Sequence, residues 1–259
     1  MITTMEISTI RDNIDVSLSQ IIKGDCLNVM KSIPDDSIDC IITDPPYNLG
    51  KFMHDRNTNL VKMRANQFAY AGWDNLDYEA WTISMKCFLN ECSRVLKKRG
   101  TLILFMAVIK VSDIIKLSQD TKLYYKTTGV WHKSNPMPRN MNIQFVNSTE
   151  SWIYFTNKDT SGTFNNNGKV VHDFIQSSVC PLSEKKHGKH PTQKPLIIMK
   201  QLISLVTNPN DIVLDPFMGS GSTCVAAASL RRRYIGVELD ENYFEIAKAR
   251  IDDIKACNV

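Results

Sequence analysis

The stretch DIVLDPFMGSGST, residues 211–223, decides the fold class of this chain. An apolar strand ends there in Asp215, and a glycine-containing turn leads into a helix that begins near Ser222. Glycine in such a turn lets the backbone approach a ligand closely. The next apolar stretch, residues 234–238, ends in Glu238, and an acid at that place can accept hydrogen bonds from the ribose hydroxyls of an adenosine-type cofactor. Because the turn lacks the GxGxxG pattern, a mononucleoside-type ligand is favoured over a dinucleotide.

Outward from this unit, strand-like and helix-like segments alternate, which is typical of a parallel sheet covered by helices. The spacing of apolar residues predicts strands over residues 19–23, 38–43, 101–106, 126–132, 151–156, 212–215 and 234–238. It predicts helices over residues 78–97, 109–117, 195–206, 222–230 and 242–254, with Gly100 placed to end the first of them. Two polar stretches, residues 48–72 and 134–190, interrupt the alternation, and residues 161–178 are expected to form a loop.

A second motif, IITDPPY at residues 41–47, includes the end of a predicted strand and the turn after it. Ligands of an open α/β sheet bind at the carboxyl ends of its strands, which is where this motif places Asp44. The two prolines fix the backbone, so the Asp44 carboxylate and a neighbouring carbonyl form a rigid pair of acceptors for an amino group. Tyr47 offers a flat ring on which a base can stack. The alternative is a strand followed by a rigid turn with one exposed tyrosine.

The composition is that of an ordinary soluble domain, with 43% hydrophobic and 22% charged residues among 259. No apolar run reaches membrane-spanning length, and the N-terminus lacks the apolar block of a secretory signal, so we expect a cytoplasmic protein. Positive charge is concentrated in residues 121–200, which hold eleven Lys or Arg and four Asp or Glu. This excess suits contact with nucleic-acid phosphates. A lysine-rich surface that faces only solvent would give the same excess.

The seven cysteines are scattered through apolar segments, and none forms a CxxC pair. This pattern indicates reduced thiols that pack as small core residues, without disulfides or structural zinc. The histidines show no metal-ligand spacing, so no metal site is expected.

Taken together, residues 44–47 (DPPY) and 215–221 (DPFMGSG) resemble the motifs of the amino-methyltransferases of DNA. The order, with the catalytic tetrapeptide N-terminal to the cofactor turn, resembles the circularly permuted beta class of that family. Residues 24–27 (GDCL) and 190–195 (HPTQKP) agree with the same class, and residues 135–140 (NPMPRN) resemble a segment of its adenine-specific members. The resemblance extends over residues 20–254.

The resemblance implies a site-specific DNA methyltransferase that transfers a methyl group from S-adenosyl-L-methionine to N6 of adenine. It implies a single α/β domain over residues 1–259, with a Rossmann-like methyltransferase sheet and helices on both faces. A target-recognition region, residues 134–190, would be inserted between the catalytic and cofactor-binding halves, and residues 48–72 would form a mobile loop near the catalytic site. Double-stranded DNA is the expected partner and a homodimer the expected assembly. The resemblance leaves open whether a cognate restriction endonuclease accompanies the enzyme.

The resemblance also assigns roles to single residues. The Asp44 carboxylate and the Pro45 carbonyl would accept the two N6 hydrogens of adenine, Pro46 would help to hold the turn rigid, and Tyr47 would stack on the base after it is flipped from the duplex. Attack on the methyl group would be direct, so no catalytic cysteine is needed. The residues expected to bind the cofactor are Asp25, Cys26, Asp44, His190, Thr192, Gln193, Lys194, Asp215, Phe217, Gly219, Ser220, Gly221, Ser222, Thr223, Glu238 and Leu239.

Within the cofactor set, Glu238 would bind the ribose of the cofactor, and Asp25 would bind the amino group of the cofactor's own adenine. Lys194 would bind the methionine carboxylate. The residues expected to contact DNA are Lys51, Arg56, Arg64, Lys133, Asn135, Arg139 and Asn140.

Three alternatives remain open at this stage. A cytosine N4 methyltransferase attacks the same kind of amino group, but the family's cytosine enzymes generally carry serine at the position of Asp44. RNA or a small molecule could replace DNA as substrate, although the long middle region favours a macromolecule. A nucleic-acid-binding module without catalysis would explain the charge, but both active-site motifs are intact.

Overall fold

The computed structural model describes residues 3–6, 14–49, 76–137, 142, 145–158 and 161–257, and within them nine strands form one sheet. The strands are β1 (Thr3–Glu6), β2 (Gln20–Lys23), β3 (Ile38–Thr43), β4 (Leu96–Met106), β5 (Leu123–Lys133), β6 (Thr149–Asn157), β7 (Phe174–Ser177), β8 (Ile212–Asp215) and β9 (Arg233–Glu238). Their order across the sheet is β1-β2-β9-β8-β3-β4-β6-β5-β7. The helices are α1 (Cys26–Met30), α2 (Tyr78–Val95), α3 (Val111–Ser118), α4 (Leu196–Val206), α5 (Ser222–Ser229) and α6 (Glu241–Cys257), and short 3-10 turns cover Val108–Lys110 and Leu182–Lys185.

Two hydrophobic cores lie on opposite faces of the sheet. Neighbouring residues of β3 point to different cores, with Ile41 in one and Ile42 in the other, as the alternation of a strand requires. Helix α2 covers the first core, and its buried residues are Trp81, Met85, Phe88, Leu89, Cys92, Ser93 and Val95. Asp77 caps this helix, since its carboxylate accepts from the backbone N–H of Ala80 at 2.7 Å. Helices α4, α5 and α6 cover the second core.

The chain reverses its direction of travel across the sheet between β3 and β8. From β3 it continues to β4 on one side, and from β8 it continues to β9 on the other. The two strands are parallel neighbours, with Cys40 opposite Val213 and Ile41 opposite Leu214. Ligands of open α/β sheets bind outside the carboxyl ends of the strands at such a switch point. The sequence motifs at residues 44–47 and 215–221 both begin at this edge.

The strands and helices predicted from apolar spacing are present, with ends shifted by a few residues. The prediction of a parallel sheet is wrong for one strand, because β6 runs antiparallel to both β4 and β5. The expectation that residues 161–178 form a loop holds for residues 161–173 but is wrong at the end of the range, where β7 forms a short edge strand parallel to β5.

Gly100 does not end a helix. Helix α2 stops at Val95, and Gly100 lies inside β4, which begins at Leu96. The positive φ of 72° falls on Arg99, so the local turn uses the residue before the glycine. Strand β1 and helix α1 were not predicted, and both are only four or five residues long. None of the helices in the described part of the chain combines the length and the apolar character needed to cross a membrane.

Candidate active site

The turn after β3 joins the two halves of the site. Thr43, the last residue of β3, is buried, and its hydroxyl donates to the Asp215 carboxylate at 2.7 Å. This bond connects the carboxyl ends of β3 and β8. In the next turn the Tyr47 hydroxyl donates to Asp44 at 2.5 Å, while the Tyr47 ring packs against the first core. Asp44 is therefore held in place at the switch point.

Three further charged side chains are connected to Asp44 through a chain of ion pairs. The Lys194 ammonium forms an ion pair with the Asp44 carboxylate and a second one with Glu150, where Nζ and Oε2 are 3.1 Å apart. Glu150, at the start of β6, also pairs with Lys133 at 2.5 Å. The Lys194 side chain is only 6% exposed. We call Asp44, Lys194, Glu150 and Lys133 the charge network.

The charge network shifts the pKa values of its members. Burial raises the pKa of Asp44 and Glu150 adds to the rise, while Lys194 and Tyr47 oppose it. Burial lowers the pKa of Lys194, but the carboxylates of Asp44 and Glu150 more than offset it, so the pKa lies above its usual value. Burial and the Asp44 carboxylate raise the pKa of Tyr47 well above its ordinary range. At neutral pH Tyr47 is therefore a hydrogen-bond donor and Lys194 a cation.

Asp215 is a buried carboxylate without a cationic partner among the described residues. It accepts from Thr43 and from the backbone N–H of Phe217 at 3.2 Å. Burial raises its pKa to about 6. It fixes the start of the glycine-containing turn.

The turn after β8 needs glycine at two places. Gly219 and Gly221 have φ values of 51° and 78°, in the left-handed region. A Cβ on Gly219 would lie 2.9 Å from Nε2 of His190, and a Cβ on Gly221 would lie 2.9 Å from Cβ of Ala247. The chain therefore passes closer to its neighbours than any side chain would allow.

Glu238 holds this turn from the end of β9. One carboxylate oxygen accepts from the backbone N–H of Gly219 at 2.8 Å, and the other accepts from Asp240 at 2.8 Å. Burial raises the pKa of Glu238. The backbone N–H of Gly24 donates to the Glu238 carbonyl at 2.8 Å, which places Asp25 beside it. Asp25 is the N-cap of α1 and accepts from Asn28 at 3.0 Å.

The segment before α4 packs against the turn from the other side. His190 stacks edge-on against Tyr243 with ring centroids 4.3 Å apart. Burial, with the charges of Lys194 and Arg250, lowers the pKa of His190 to about 4, so the ring is neutral at physiological pH. The Gln193 side chain accepts from the Ser220 hydroxyl at 3.1 Å. The carbonyl of Lys194 accepts from the Ser222 hydroxyl at 2.8 Å.

These residues suit an adenosine-type cofactor with an amino-acid end. Each oxygen of Glu238 uses one lone pair on the backbone and has another for a ribose hydroxyl. Glu238 makes no salt bridge within the described residues, so no cation competes for those lone pairs. Asp25 lies next to it, and the narrow glycine turn admits close approach of a ligand. Of the other residues expected here, Thr192 and Leu239 are exposed and Cys26, Gln193 and Thr223 are buried.

The residues expected to contact DNA are only partly described. Lys133 ends β5 and is paired with Glu150. The Asn135 side chain accepts from the backbone N–H of Val179 at 2.8 Å. The other five, Lys51, Arg56, Arg64, Arg139 and Asn140, lie outside the described residues, as does nearly all of the predicted loop at residues 48–72.

Two residues of the site were not anticipated from the sequence. Glu150 joins the charge network, and Arg250 of α6 donates to the carbonyl of Ser220 at 2.5 Å and to the Ser222 hydroxyl at 3.2 Å. Neither belongs to a recognisable motif. A signal existed for Arg250, because it occurs at helical spacing among the apolar residues of a predicted helix, where a charged residue is buried only with partners.

Comparison with known proteins gives the family. A family model described as DNA methylase, of the N6 and N4 methyltransferase type, matches residues 38–249. The chain is 32% identical to the Type II methyltransferase M.HinfI of Haemophilus influenzae, over 95% of this chain and 71% of that protein. It is 31% identical to the Type II methyltransferase M.HpaI of Haemophilus parainfluenzae, over 90% and 74% of the two chains.

Solved structures agree. The M1.HpyAVI–SAM complex matches with a TM-score of 0.68 and 31% identity, over 90% of this chain and 98% of that one. PvuII DNA methyltransferase, which is cytosine-N4-specific, matches with a TM-score of 0.71 over 91% and 89% of the chains; at 18% identity it shows the fold alone.

The chain therefore belongs to the N6 and N4 DNA methylase family. This confirms the prediction of an α/β, Rossmann-like, S-adenosyl-L-methionine-dependent DNA methyltransferase of the amino-methyltransferase family.

Proposed function

We propose that this enzyme methylates N6 of adenine within a specific sequence of double-stranded DNA, and that Asp44 is the residue that binds the target amino group. The carrying observation is the placement of Asp44, which Tyr47 and Lys194 hold at the switch point beside the Thr43–Asp215 bond. The cofactor turn begins at the same edge of the sheet.

The chemistry required of the chain is to make a poor nucleophile reactive. The N6 lone pair of adenine is delocalised into the ring, and two acceptors on the N6 hydrogens favour the rehybridised nitrogen. The Asp44 carboxylate and the Pro45 carbonyl are the proposed acceptors. S-adenosyl-L-methionine, when bound, supplies a methyl group on an electrophilic sulfonium. The turn after β3 contributes by holding both acceptors in one orientation before the base arrives, which is how preorganised sites lower a barrier.

The remaining residues of the cofactor set bind and orient. Glu238 accepts from the ribose hydroxyls of the cofactor, and Asp25 accepts from the amino group of the cofactor's own adenine. Phe217 lines the methionine end of the cofactor. Lys194 has three N–H donors; one donates to Asp44, and the ammonium also forms an ion pair with Glu150. A remaining donor serves the methionine carboxylate in this proposal.

The target-recognition role is proposed for residues 134–190, outside the two strands that this region contributes to the sheet. Strands β6 and β7 are integral to the fold. Base reading therefore falls to the segments between β5 and β6 and between β6 and β7, with Arg139 as the foremost candidate for a base-edge or phosphate contact. A homodimer, a partner endonuclease and a basic flap at residues 48–72 are further parts of this proposal.

The decisive experiment identifies the methylated base. Purified protein is incubated with unmethylated genomic DNA and S-adenosyl-L-methionine, and the product is digested and sequenced for N6-methyladenine and N4-methylcytosine. We expect N6-methyladenine at one short sequence with the native chain and none with Asp44→Ala. The matched control is Asp39→Asn, since Asp39 lies near the start of β3, at the opposite end of the strand that Asp44 follows, and pairs with Lys97 at 2.8 Å. N4-methylcytosine as the product, or full activity of Asp44→Ala, would refute the proposal.

A further inference from the structure

The charge network joins four separate segments of the chain around the proposed catalytic carboxylate. Asp44 follows β3, Lys133 ends β5, Glu150 lies at the start of β6, and Lys194 immediately precedes Pro195, the N-cap of α4. Lys194 bridges the two carboxylates, and Lys133 pairs with the far oxygen of Glu150. Two cations and two anions thus alternate in a single row.

The four side chains of the charge network are largely shielded from water, which strengthens the interactions between their charges. The side chains of Lys194 and Lys133 are 6% and 17% exposed, and those of Asp44 and Glu150 are 22% and 24% exposed. Lys194 also lies over the Phe105 ring, with the ammonium 5.0 Å from the centroid. A charge in such surroundings is screened little by water, so its position is set by its partners.

A single ion pair would fix the distance between Lys194 and Asp44 but not the direction of approach. The second contact is an ion pair with Glu150 Oε2 at 3.1 Å; this oxygen accepts no hydrogen bond from the described residues and restrains the ammonium by its charge. Lys133 in turn pairs with the other oxygen of Glu150, so that each carboxylate oxygen faces a different lysine. The backbone of Lys194 is held separately by the Ser222 hydroxyl, so the network also touches the cofactor helix α5.

We propose that Glu150, held by Lys133, is a positioning residue for methyl transfer, which fixes the Lys194 ammonium against Asp44 and so keeps that carboxylate oriented as the acceptor for the target amino group. The inference rests on the proposed function for the role of Asp44. It adds a residue outside every motif of the sequence.

The electrostatic effect of Glu150 has a definite sign. Its negative charge raises the pKa of Asp44, so its removal lowers that pKa. The other titratable groups around the network are Tyr47, which donates to Asp44; Asp215, whose pKa is raised by Asp44; and His190, which is neutral beside Lys194. Glu150 also contributes to the raised pKa of Tyr47, which stays well above its ordinary range through burial and Asp44, whereas the shifts of Asp215 and His190 arise from other groups. A shift in the pH profile therefore reports on the network itself.

The test compares Glu150→Gln, Glu150→Asp and the control Asp39→Asn, whose native carboxylate is 20% exposed and paired with a lysine. Glutamine keeps the shape but offers one acceptor, so one of the two lysines faces an amide N–H instead of an oxygen. We expect the single-turnover rate of Glu150→Gln to fall about 10- to 100-fold, while cofactor affinity measured by calorimetry falls by a clearly smaller factor, because the main hydrogen bond of Lys194 to Asp44 is kept. The acid limb of the pH–rate profile should move to lower pH. Glu150→Asp should recover part of the rate, and Asp39→Asn should match the native protein.

A second measurement does not depend on the substrate. Carbon NMR titration of the Asp44 carboxyl in DNA-free protein should give a lower pKa in Glu150→Gln than in the native chain. An unchanged rate with an unmoved acid limb and unmoved Asp44 titration would overturn the inference. So would a rate loss matched by equal losses in cofactor affinity and melting temperature, with Glu150→Asp no better than Glu150→Gln. Methylation of cytosine by the native protein would defeat the proposed function alone, because the Glu150 comparison is made against the native rate on whichever base reacts.

Discussion

Replacing Gly219 by alanine tests whether the turn after β8 is the cofactor-binding element. The φ of 51° costs an alanine about 1–2 kcal/mol relative to glycine. The new Cβ would also lie 2.9 Å from Nε2 of His190, whose ring is backed by Tyr243 at 4.3 Å and has little room to retreat. Overpacking of this kind adds about 1–3 kcal/mol. The expected loss of unfolding free energy is therefore about 2–5 kcal/mol.

The same substitution should weaken cofactor binding. The backbone N–H of Gly219 donates to Glu238, and a displaced turn loses that charge-assisted bond and the placement of the carboxylate. We expect S-adenosyl-L-methionine to bind about 10- to 100-fold more weakly in calorimetry. Gly168→Ala is the matched control, because Gly168 has a φ of 72° but open space around its Cβ position. It should lose about 1–2 kcal/mol of stability and no cofactor affinity. If Gly219→Ala melted and bound cofactor like Gly168→Ala, the reasoning about the turn would be refuted.

Three further variants separate the parts of the site. Asp44→Ala should reduce methyl transfer by about 100-fold or more while leaving most of the cofactor affinity, and native-like turnover would exclude Asp44 as the amino-group acceptor. Glu238→Ala should weaken cofactor binding by about 1–3 kcal/mol without changing DNA affinity, and an unchanged calorimetric constant would make Glu238 a purely structural acid. Arg139→Ala should weaken DNA binding in a fluorescence anisotropy titration but not cofactor binding; equal affinity for DNA at low and moderate salt would remove Arg139 from the interface.

Much of the central fold could be predicted because its signals are local. The strand predicted at residues 212–215 has three consecutive apolar residues and ends in Asp215, with a glycine-containing turn beyond it, and it matches β8 residue for residue. The strand at residues 38–43 likewise matches β3. Both are parallel strands that are buried apart from Asp39, and the apolar runs of buried parallel strands are a clear strand signal in a sequence.

The missing elements depend on partners that the sequence does not show. Strand β7 has four residues, of which only Ile175 is buried, and it exists because β5 offers it an edge. The antiparallel run of β6 follows from its pairing with β4, a contact between residues some fifty positions apart along the chain, such as Thr101 and Thr156. Local propensity carries no information about either pairing.

The same distinction applies to the site. Asp44 and Lys194 were both predicted as ligand-binding residues, but their direct pairing emerged only from the fold. Strand order places Glu150 in the site. Because β6 runs antiparallel to β4, its first residues lie at the same edge of the sheet as the carboxyl end of β3. A motif gives the identity of a residue, whereas its partner is set by topology.

Asp215 shows that the site retains a charge at the expense of stability. Its carboxyl is buried, and burial raises its pKa in the folded protein to about 6 from a usual 3.8. The folded state therefore binds a proton between these values when the unfolded state does not, so the contribution of Asp215 to stability falls as pH rises through this window. The loss, complete above pH 6, is on the order of 3 kcal/mol.

Asp215→Asn should reveal this cost. The amide oxygen can still accept from Thr43 and Phe217, and the variant carries no charge to desolvate. In urea denaturation at pH 5 and pH 8, the stability of the variant relative to the native chain should rise with pH, by on the order of 1 kcal/mol, because only the part of the window between pH 5 and the folded pKa lies within this range. His190 acts in the opposite direction, because its pKa of about 4 lies below the usual 6.5 and its contribution is lost as pH falls through 6.5. That term is common to both proteins and cancels in the difference. A difference that stays constant between pH 5 and pH 8 would show that Asp215 is not desolvated as the structure implies. A difference that grows with pH, accompanied by weaker cofactor binding in the variant, would show that the charge is kept for binding rather than for folding.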